Sequence, residues 1–256
     1  MALLETKDLT KHFGGLAAID QVNIEANCGE ILGLIGPNGA GKTTLFNLIT
    51  GSLRPSYGKI FFKGADITGL KPNQIAEKGI VRTFQASTMF DKRTVLENVL
   101  IGCHLQFHTG LLRVLFNTSR TRSEEKKIRQ RAIEIIEITG LSPVRDELAG
   151  SLPHGHQRVL GICIALAANP ELLLLDEPVA GSNPEESVRL MSLVKKLRDR
   201  GITIILVEHD MKAVMHTCDR IVVLNCGKKM AEGNPEEIRE NRDVIEAYLG
   251  VEEDAA

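Results

Sequence analysis

Residues 31–44 read ILGLIGPNGAGKTT, an apolar run followed by a glycine-rich turn. The run Ile31–Ile35 predicts a buried strand, and residues Lys42 to about Thr50, closed by Gly51, predict a helix. The turn fits the pattern G-x-x-x-x-G-K-[ST], in which backbone amides and a helix N-terminus converge on phosphate groups. We therefore predict a phosphate-binding loop made of nine consecutive residues: Gly36, Pro37, Asn38, Gly39, Ala40, Gly41, Lys42, Thr43 and Thr44.

The chemistry of this loop assigns a role to its last three residues. Lys42 would reach the β- and γ-phosphates of a nucleotide, and the Thr43 hydroxyl would ligate Mg²⁺. Thr44 would add a further phosphate contact. ATP and Mg²⁺ are therefore the predicted cofactors.

A second motif places two acids at the end of an apolar run. Residues 172–178 read LLLLDEP, and the run Leu172–Leu175 predicts a buried strand. Ligands of open α/β folds bind at the ends of such strands. Asp176 would hold Mg²⁺ through water, and Glu177 would polarise the attacking water.

The rest of the chain predicts an α/β protein. Further strands are expected at residues 22–24, 59–62 and 203–207, and helices at residues 128–138 and 185–197, the latter with Asn183 as its N-cap. Ile128, Ala132 and Ile135 recur at helical spacing and predict core positions. The stretch from about residue 86 to 169 lacks strong strand signals, which predicts a mostly helical subdomain inserted into the core of a single domain spanning residues 1–256.

Composition excludes several classes of protein. The chain has 256 residues and a formal net charge of −2, and the charge argues against a nucleic-acid partner. Its five cysteines form no C-x-x-C pair, which is typical of reduced thiols in the cytosol. No run approaches the roughly 20 apolar residues that a spanning helix needs, and no signal peptide is expected. If the protein works in transport, another chain must supply the pore.

With both motifs in place, the chain resembles the ATP-binding subunits of ABC transporters over residues 4–250. The resemblance implies a P-loop NTPase core with a mixed sheet and an inserted helical subdomain. It implies that Phe13 stacks on adenine, that Gln85 senses Mg²⁺ and water and touches the membrane subunit, and that His209 holds the γ-phosphate. Residues 180–183 occupy the loop that crosses between the two ATPase halves. Glu177, His209 and Gln85 are thus the expected catalytic residues, and Thr43, Gln85 and Asp176 the expected metal site.

The signature segment departs from the family pattern L-S-G-G-Q. Residues 152–156 read LPHGH, so the serine hydroxyl that would reach the partner's γ-phosphate is absent. Gly155, the helix start and donor capacity from His154 and His156 remain, and Gly155 and His156 stay predicted nucleotide contacts. Two outcomes are open: these groups compensate for the lost serine, or this half contributes a weak site to a heterodimer.

Five stretches carry a narrower resemblance, at residues 13–18, 81–85, 180–184, 208–211 and 244–250. In these stretches the chain resembles an ATP-binding subunit of branched-chain amino-acid importers. The resemblance implies a chain that dimerises around MgATP at the cytoplasmic face of the inner membrane. Its partners would be two permeases, a second ATPase of the same or a related kind and, indirectly, a substrate-binding protein. The lipopolysaccharide-export ATPase is a near relative and stays an alternative.

Other classes explain the sequence less well. ABC ATPases of DNA repair or chromosome organisation insert long coiled coils between the two motifs, and the distance from Lys42 to Asp176 is too short for one. Ribosome-associated ABC factors carry two phosphate loops, and this chain has one. A kinase would leave the signature and switch positions unexplained. Residues 111–131 hold seven basic residues and two acids, which suits contact with a membrane subunit or anionic lipid, or simply a solvated helix face.

The odd signature generates a prediction. Pro153 has neither a side-chain donor nor a backbone N–H, so restoring serine should return one phosphate contact. A donor to a charged group is worth about 1.5–3 kcal/mol, or roughly ten- to a hundredfold in rate. We expect Pro153→Ser, alone or with His154→Gly, to raise ATP turnover of the assembled transporter several-fold. Unchanged or lower turnover would show that this segment already makes its phosphate contacts another way.

Overall fold

The computed structural model describes residues 2–83, 89–103 and 119–253, with the side chains of residues 119–124 and 248–253 left out. The chain divides into two compact units, Met1–Arg82 with Glu171–Ala256, and Thr83–Pro170. The division of the chain into one domain with an inserted subdomain stays a prediction. Among the described residues, none of the helices has the length and apolar character that crossing a bilayer requires.

The first unit is built on a six-stranded sheet. Five of its strands are parallel, in the order β10-β4-β9-β8-β7, and β11 pairs antiparallel with β10 at one edge. The sheet is therefore mixed, and all five parallel strands end at the same edge. The strands of this sheet are β4 (Ile31–Ile35), β7 (Ile80–Arg82), β8 (Leu172–Asp176), β9 (Thr203–Val207), β10 (Arg220–Asn225) and β11 (Lys228–Gly233).

A second, antiparallel sheet packs its apolar side against the same core. Its central strand β1 pairs with β2, β3 and β5, and β5 pairs with β6. Leu4, Ala26 and Phe62 from this sheet lie in one buried cluster with Leu32 and Leu174 from the parallel strands. The strands are β1 (Ala2–Phe13), β2 (Leu16–Val22), β3 (Glu25–Asn27), β5 (Tyr57–Phe62) and β6 (Ala65–Asp66).

Helices connect the parallel strands of this unit. The longest of them begins with Asn183, whose side chain accepts a hydrogen bond from the Glu186 amide while Glu186 reaches back, and it ends before Gly201. The helices of the first unit are α1 (Lys42–Ile49), α2 (Pro72–Glu77), α6 (Pro184–Asp199), α7 (Met211–Thr217), α8 (Pro235–Glu240) and α9 (Arg242–Glu253).

The second unit is helical in the part that the structure describes. Its helices are α3 (Val95–Cys103), α4 (Ser119–Thr139) and α5 (His154–Ala167), with 3₁₀ turns at Ser142–Val144 and Ala149–Ser151. Ile128, Ala132 and Ile135 are buried on one face of α4, as their spacing predicts. Asn98 is also buried, and its side chain bonds both the amide and the carbonyl of Phe90, which closes the turn before α3.

The fold class is confirmed, and the strands at residues 31–35 and 203–207 lie where they were predicted. The strand expected at Val22–Ile24 is wrong, because β2 ends at Val22 and β3 begins only at Glu25. There the buried Thr6 hydroxyl of β1 donates to the Val22 carbonyl and accepts from the Ile24 amide. The Thr6 side chain thus bonds the backbone on both sides of Asn23, next to the backbone bond from the Thr6 amide to the Ile24 carbonyl, and the apolar run is divided between two strands.

The glycines of the phosphate loop allow close contact with neighbouring strands. Gly36 has φ of 152°, and a Cβ atom there would lie 2.1 Å from the Leu224 carbonyl oxygen of β10. Gly41 has φ of 105°, and its Cβ would lie 2.6 Å from the Ala18 carbonyl oxygen of β2. A side chain at Gly36 would move the loop away from β10, and one at Gly41 would move it away from β2.

We expect Gly36→Ala to lower the free energy of unfolding by more than about 2 kcal/mol. The new methyl group would combine an unfavourable φ with a backbone clash. Urea unfolding of the purified chain measures this. Gly161→Ala is the matched control, because a Cβ at Gly161 in helix α5 would meet nothing within 4 Å. That control should be neutral or stabilising by up to about 1 kcal/mol, and equal losses for both variants would contradict the argument.

Candidate active site

The carboxyl ends of the parallel strands bring the predicted functional residues of the first unit together. The phosphate loop follows β4, Asp176 and Glu177 end or follow β8, and His209 comes two residues after β9. Because β9 lies between β4 and β8 in register, with Asp176 opposite Val207, all three segments leave the sheet side by side. Open α/β sheets bind ligands at this edge.

The phosphate loop is organised around the Lys42 ammonium. Its Nζ atom donates to the carbonyl oxygens of Gly36 and Pro37, at 2.6 and 2.9 Å. Burial lowers the pKa of Lys42, while the carboxylates of Glu177 and Asp176 raise it in part. Asn38, Gly39 and Thr43 are exposed, so the outer side of the loop is open to a ligand.

Asp176 forms a largely buried ion pair with Arg82 at the end of β7. The Arg82 Nη2 atom lies 2.5 Å from Asp176 Oδ2, and the two side chains are 13% and 12% exposed. Arg82 also donates to the Asn47 side chain of helix α1 at 2.7 Å and lies over the Phe46 ring. One arginine thus ties β7, β8 and the helix of the phosphate loop together.

Glu177 and His209 contact each other directly. The His209 Nε2 atom lies 2.5 Å from Glu177 Oε1, and both side chains are partly exposed. Glu177 has φ of 49°, a left-handed conformation that non-glycine residues rarely adopt. Its amide donates to the Val207 carbonyl at 2.9 Å. With this backbone conformation, the Glu177 carboxylate contacts His209.

Phe13 at the end of β1 is 47% exposed, and the Lys11 ammonium lies 5.1 Å from the centre of its ring. An exposed aromatic ring beside a cation is a suitable surface for a nucleotide base. Its position is that of a surface ring rather than of a core phenylalanine.

The remaining predicted residues lie elsewhere. In the second unit, Gly155 and His156 lie in the first turn of α5, with Pro153 as an N-cap that makes no side-chain capping bond. His154 and His156 are exposed. Gln85 lies outside the described residues, as do residues 111–118 of the basic stretch.

Three residues of this region were not predicted to contribute to it: Arg82, Asn47 and Glu208. Each sits at the carboxyl edge of the sheet or on the first helix, and Arg82 and Glu208 directly follow apolar residues of a strand. A charged residue at the end of a buried strand is therefore the sequence signal that points to this edge, as it does for Asp176.

The donor set of this edge suits magnesium better than zinc. Asp176 and the exposed Thr43 hydroxyl supply oxygen donors, and Mg²⁺ is usually held by one or two protein oxygens together with waters and phosphates. The side chains that the structure describes contain no group of three or more His, Cys, Asp or Glu residues able to hold a metal. Arg82 contacts Asp176 through Oδ2, and Asp176 would hold the ion through water.

Comparison with known proteins identifies the family. The sequence profile described as "ABC transporter" matches residues 19–180, and the one described as "Branched-chain amino acid ATP-binding cassette transporter" matches residues 228–254. The high-affinity branched-chain amino acid transport ATP-binding protein BraF of Pseudomonas aeruginosa is 44% identical over 97% of this chain and 98% of its own. LivG of Escherichia coli K12, of the same description, is 46% identical over the same shares.

A solved structure gives the same answer for the fold. The crystal structure of the ADP conformation of an ATP-binding cassette of an ABC transporter superposes on this chain with a TM-score of 0.86. The two sequences are 36% identical, and the match covers 98% of this chain and 99% of the other. The fold and its carboxyl-edge site define a nucleotide-binding P-loop ATPase. The chain belongs to the ABC transporter family, as one of its ATP-hydrolysing cassettes.

The Arg82–Asp176 pair generates a stability prediction. Arg82→Gln would leave the Asp176 carboxylate largely buried without its cation, and breaking such a pair typically costs about 3 kcal/mol. We expect the free energy of unfolding to fall by that amount in urea titrations. Arg189→Gln is the control, because Arg189 pairs with Glu185 on the exposed face of α6 and should change stability little. Similar losses in the two variants would argue against a stabilising role for the buried pair.

Proposed function

We propose that this chain is an ATPase subunit of a branched-chain amino-acid importer and that it dimerises around MgATP. The observation that carries the catalytic part is the meeting of Lys42, Asp176, Glu177 and His209 at one edge of the parallel sheet. The substrate class rests on the relatives of this description and on the profile match at residues 228–254. That match favours the importer over lipopolysaccharide export.

The phosphate loop would bind the nucleotide. Backbone amides of Gly39 to Thr43 would receive the phosphates, and Lys42 would leave the carbonyls of its own loop to contact the β- and γ-phosphates. Thr44 would add a contact, and Phe13 would stack on adenine. Thr43, Asp176 and Gln85 would hold Mg²⁺, which, when bound, neutralises charge on the phosphate oxygens.

The Glu177–His209 pair would carry out hydrolysis. Glu177 would orient and polarise the attacking water, since its carboxylate is partly exposed and contacts His209. His209 would contact the γ-phosphate and hold Glu177 in place through the bond between them. Gln85 would complete the arrangement, as the family resemblance implies.

A second chain would complete each site. In the proposed dimer the segment Leu152–His156 of one chain faces the phosphate loop of the other, and Gly155 and His156 contact its nucleotide. Residues 180–183 would cross between the halves. Two permeases would convert closure and opening of this dimer into alternating access, and the chain would lie on the cytoplasmic face of the inner membrane. A binding protein would deliver the amino acid.

We expect Glu177→Gln to abolish ATP hydrolysis and leucine uptake while ATP binding persists, because the amide keeps the shape of the side chain and loses the charge. Uptake and turnover are measured in vesicles containing the chain, its membrane subunits and the binding protein. Glu236→Gln is the control, since Glu236 lies exposed in the first turn of α8.

The two parts of the proposal fail separately in this experiment. Wild-type turnover in Glu177→Gln would contradict the catalytic assignment of that carboxylate. ATP-dependent turnover in the wild-type complex without uptake of leucine, isoleucine or valine would contradict the substrate class alone.

A further inference from the structure

Glu208 is a buried carboxylate at the candidate active site that the catalytic steps above do not use. It directly follows β9, directly precedes His209 and is 3% exposed. Burial raises the pKa of Glu208, and hydrogen bonds from the backbone amides of Val179 and His209 lower it in part. A carboxylate in such a position is unfavourable unless hydrogen bonds satisfy both of its oxygens.

Both oxygens of Glu208 accept hydrogen bonds from the backbone next to a catalytic residue. Oε1 accepts from the Val179 amide at 2.6 Å, and Val179 lies two residues after Glu177. Oε2 accepts from the His209 amide at 3.1 Å. One side chain therefore joins the turn that follows β8 to the turn that follows β9.

The turn at Glu177 needs such a constraint. Its left-handed φ of 49° is unfavourable for a glutamate and persists only where the surroundings hold the backbone in place. Before this residue, the ladder between β8 and β9 fixes the chain, and the Glu177 amide donates to the Val207 carbonyl. After it, the bond from the Val179 amide to Glu208 holds the chain as it continues toward Ser182.

We propose that Glu208 is a positioning residue for ATP hydrolysis. By holding the two turns together it keeps the Glu177 carboxylate within 2.5 Å of the His209 imidazole. It acts through these two residues and does not contact the nucleotide. This proposal rests on the proposed function, because it assigns Glu208 a part in the same reaction.

The two-oxygen geometry makes one substitution diagnostic. Glutamine has the shape of glutamate but offers a single acceptor, and its NH₂ group would face one of the two backbone amides. Glu208→Gln should therefore loosen one turn from the other with no change in side-chain volume. Glu208→Asp keeps both acceptors on a shorter side chain, so its kcat should lie between those of Glu208→Gln and the wild type.

The kinetic test uses the assembled transporter. We expect Glu208→Gln to lower kcat for ATP about tenfold or more, as loss of a charge-assisted hydrogen bond does, with KM within about twofold of the wild type. Glu237→Gln is the matched control, since Glu237 accepts a backbone bond from Asn234 at 2.8 Å in the capping box of α8, on the surface. A kcat within twofold of the wild type would overturn the proposal.

Hydrogen exchange of the full-length chain alone separates positioning from general stability. Faster exchange confined to the amides of residues 177–183 and 208–210 supports the proposal, whereas a uniform rise throughout β8 and β9 overturns it and indicates a structural role only. This measurement needs neither transport nor a known amino acid. A complex that hydrolyses ATP without importing leucine, isoleucine or valine would contradict the substrate class of the proposed function and leave the Glu208 test intact.

Discussion

The parallel register of β4, β9 and β8 is the constraint on which the site depends. Asp176 lies opposite Val207, and Leu34 of β4 lies opposite the same residue on its other side. A one-residue slip of β8 would turn every side chain of that strand to the opposite face of the sheet, and Asp176 with it. These strands are apolar and buried on both faces, so the close packing of individual side chains, rather than an alternation of polar and apolar residues, fixes that register. The geometry between Glu177 and His209 is therefore a consequence of core packing.

Largely buried charges are held around this edge by specific partners. Arg82 neutralises Asp176, and Glu208 is bound by two backbone amides. Compared with apolar residues of similar volume, such groups contribute little net stability, although removing one partner alone is costly. Their value lies in orientation, because a paired charge with several hydrogen bonds has few alternative arrangements. Where catalysis is proposed, the buried charges of the cassette therefore serve to orient side chains more than to stabilise the fold.

Sequence reasoning recovered the parts of the protein that local patterns specify. Short apolar runs predict β4 and β9 closely, and the N-cap Asn183 predicts the start of α6. Both signals are contained in a few consecutive residues, so they can be read from the sequence. Strand β1 was not predicted, since much of its stability comes from pairing with strands up to about sixty residues away, as between Leu4 and Phe62. The break between β2 and β3 was also missed, because it depends on the hydroxyl of Thr6. The partners of Arg82 and Glu208 were missed for the same reason, because they are tertiary contacts between residues far apart in the sequence.

The bonds from Lys42 to the carbonyls of Gly36 and Pro37 bear on the entropy of ligand capture. These bonds hold the loop in one conformation, so little conformational freedom would be lost when phosphate binds. Exchange of the two carbonyl acceptors for phosphate oxygens would keep the ammonium hydrogen-bonded. The affinity of such a loop for nucleotide depends on the difference in free energy between lysine bonded to the loop carbonyls and lysine bonded to phosphate oxygens. When the nucleotide leaves, the lysine can bond to the loop carbonyls again.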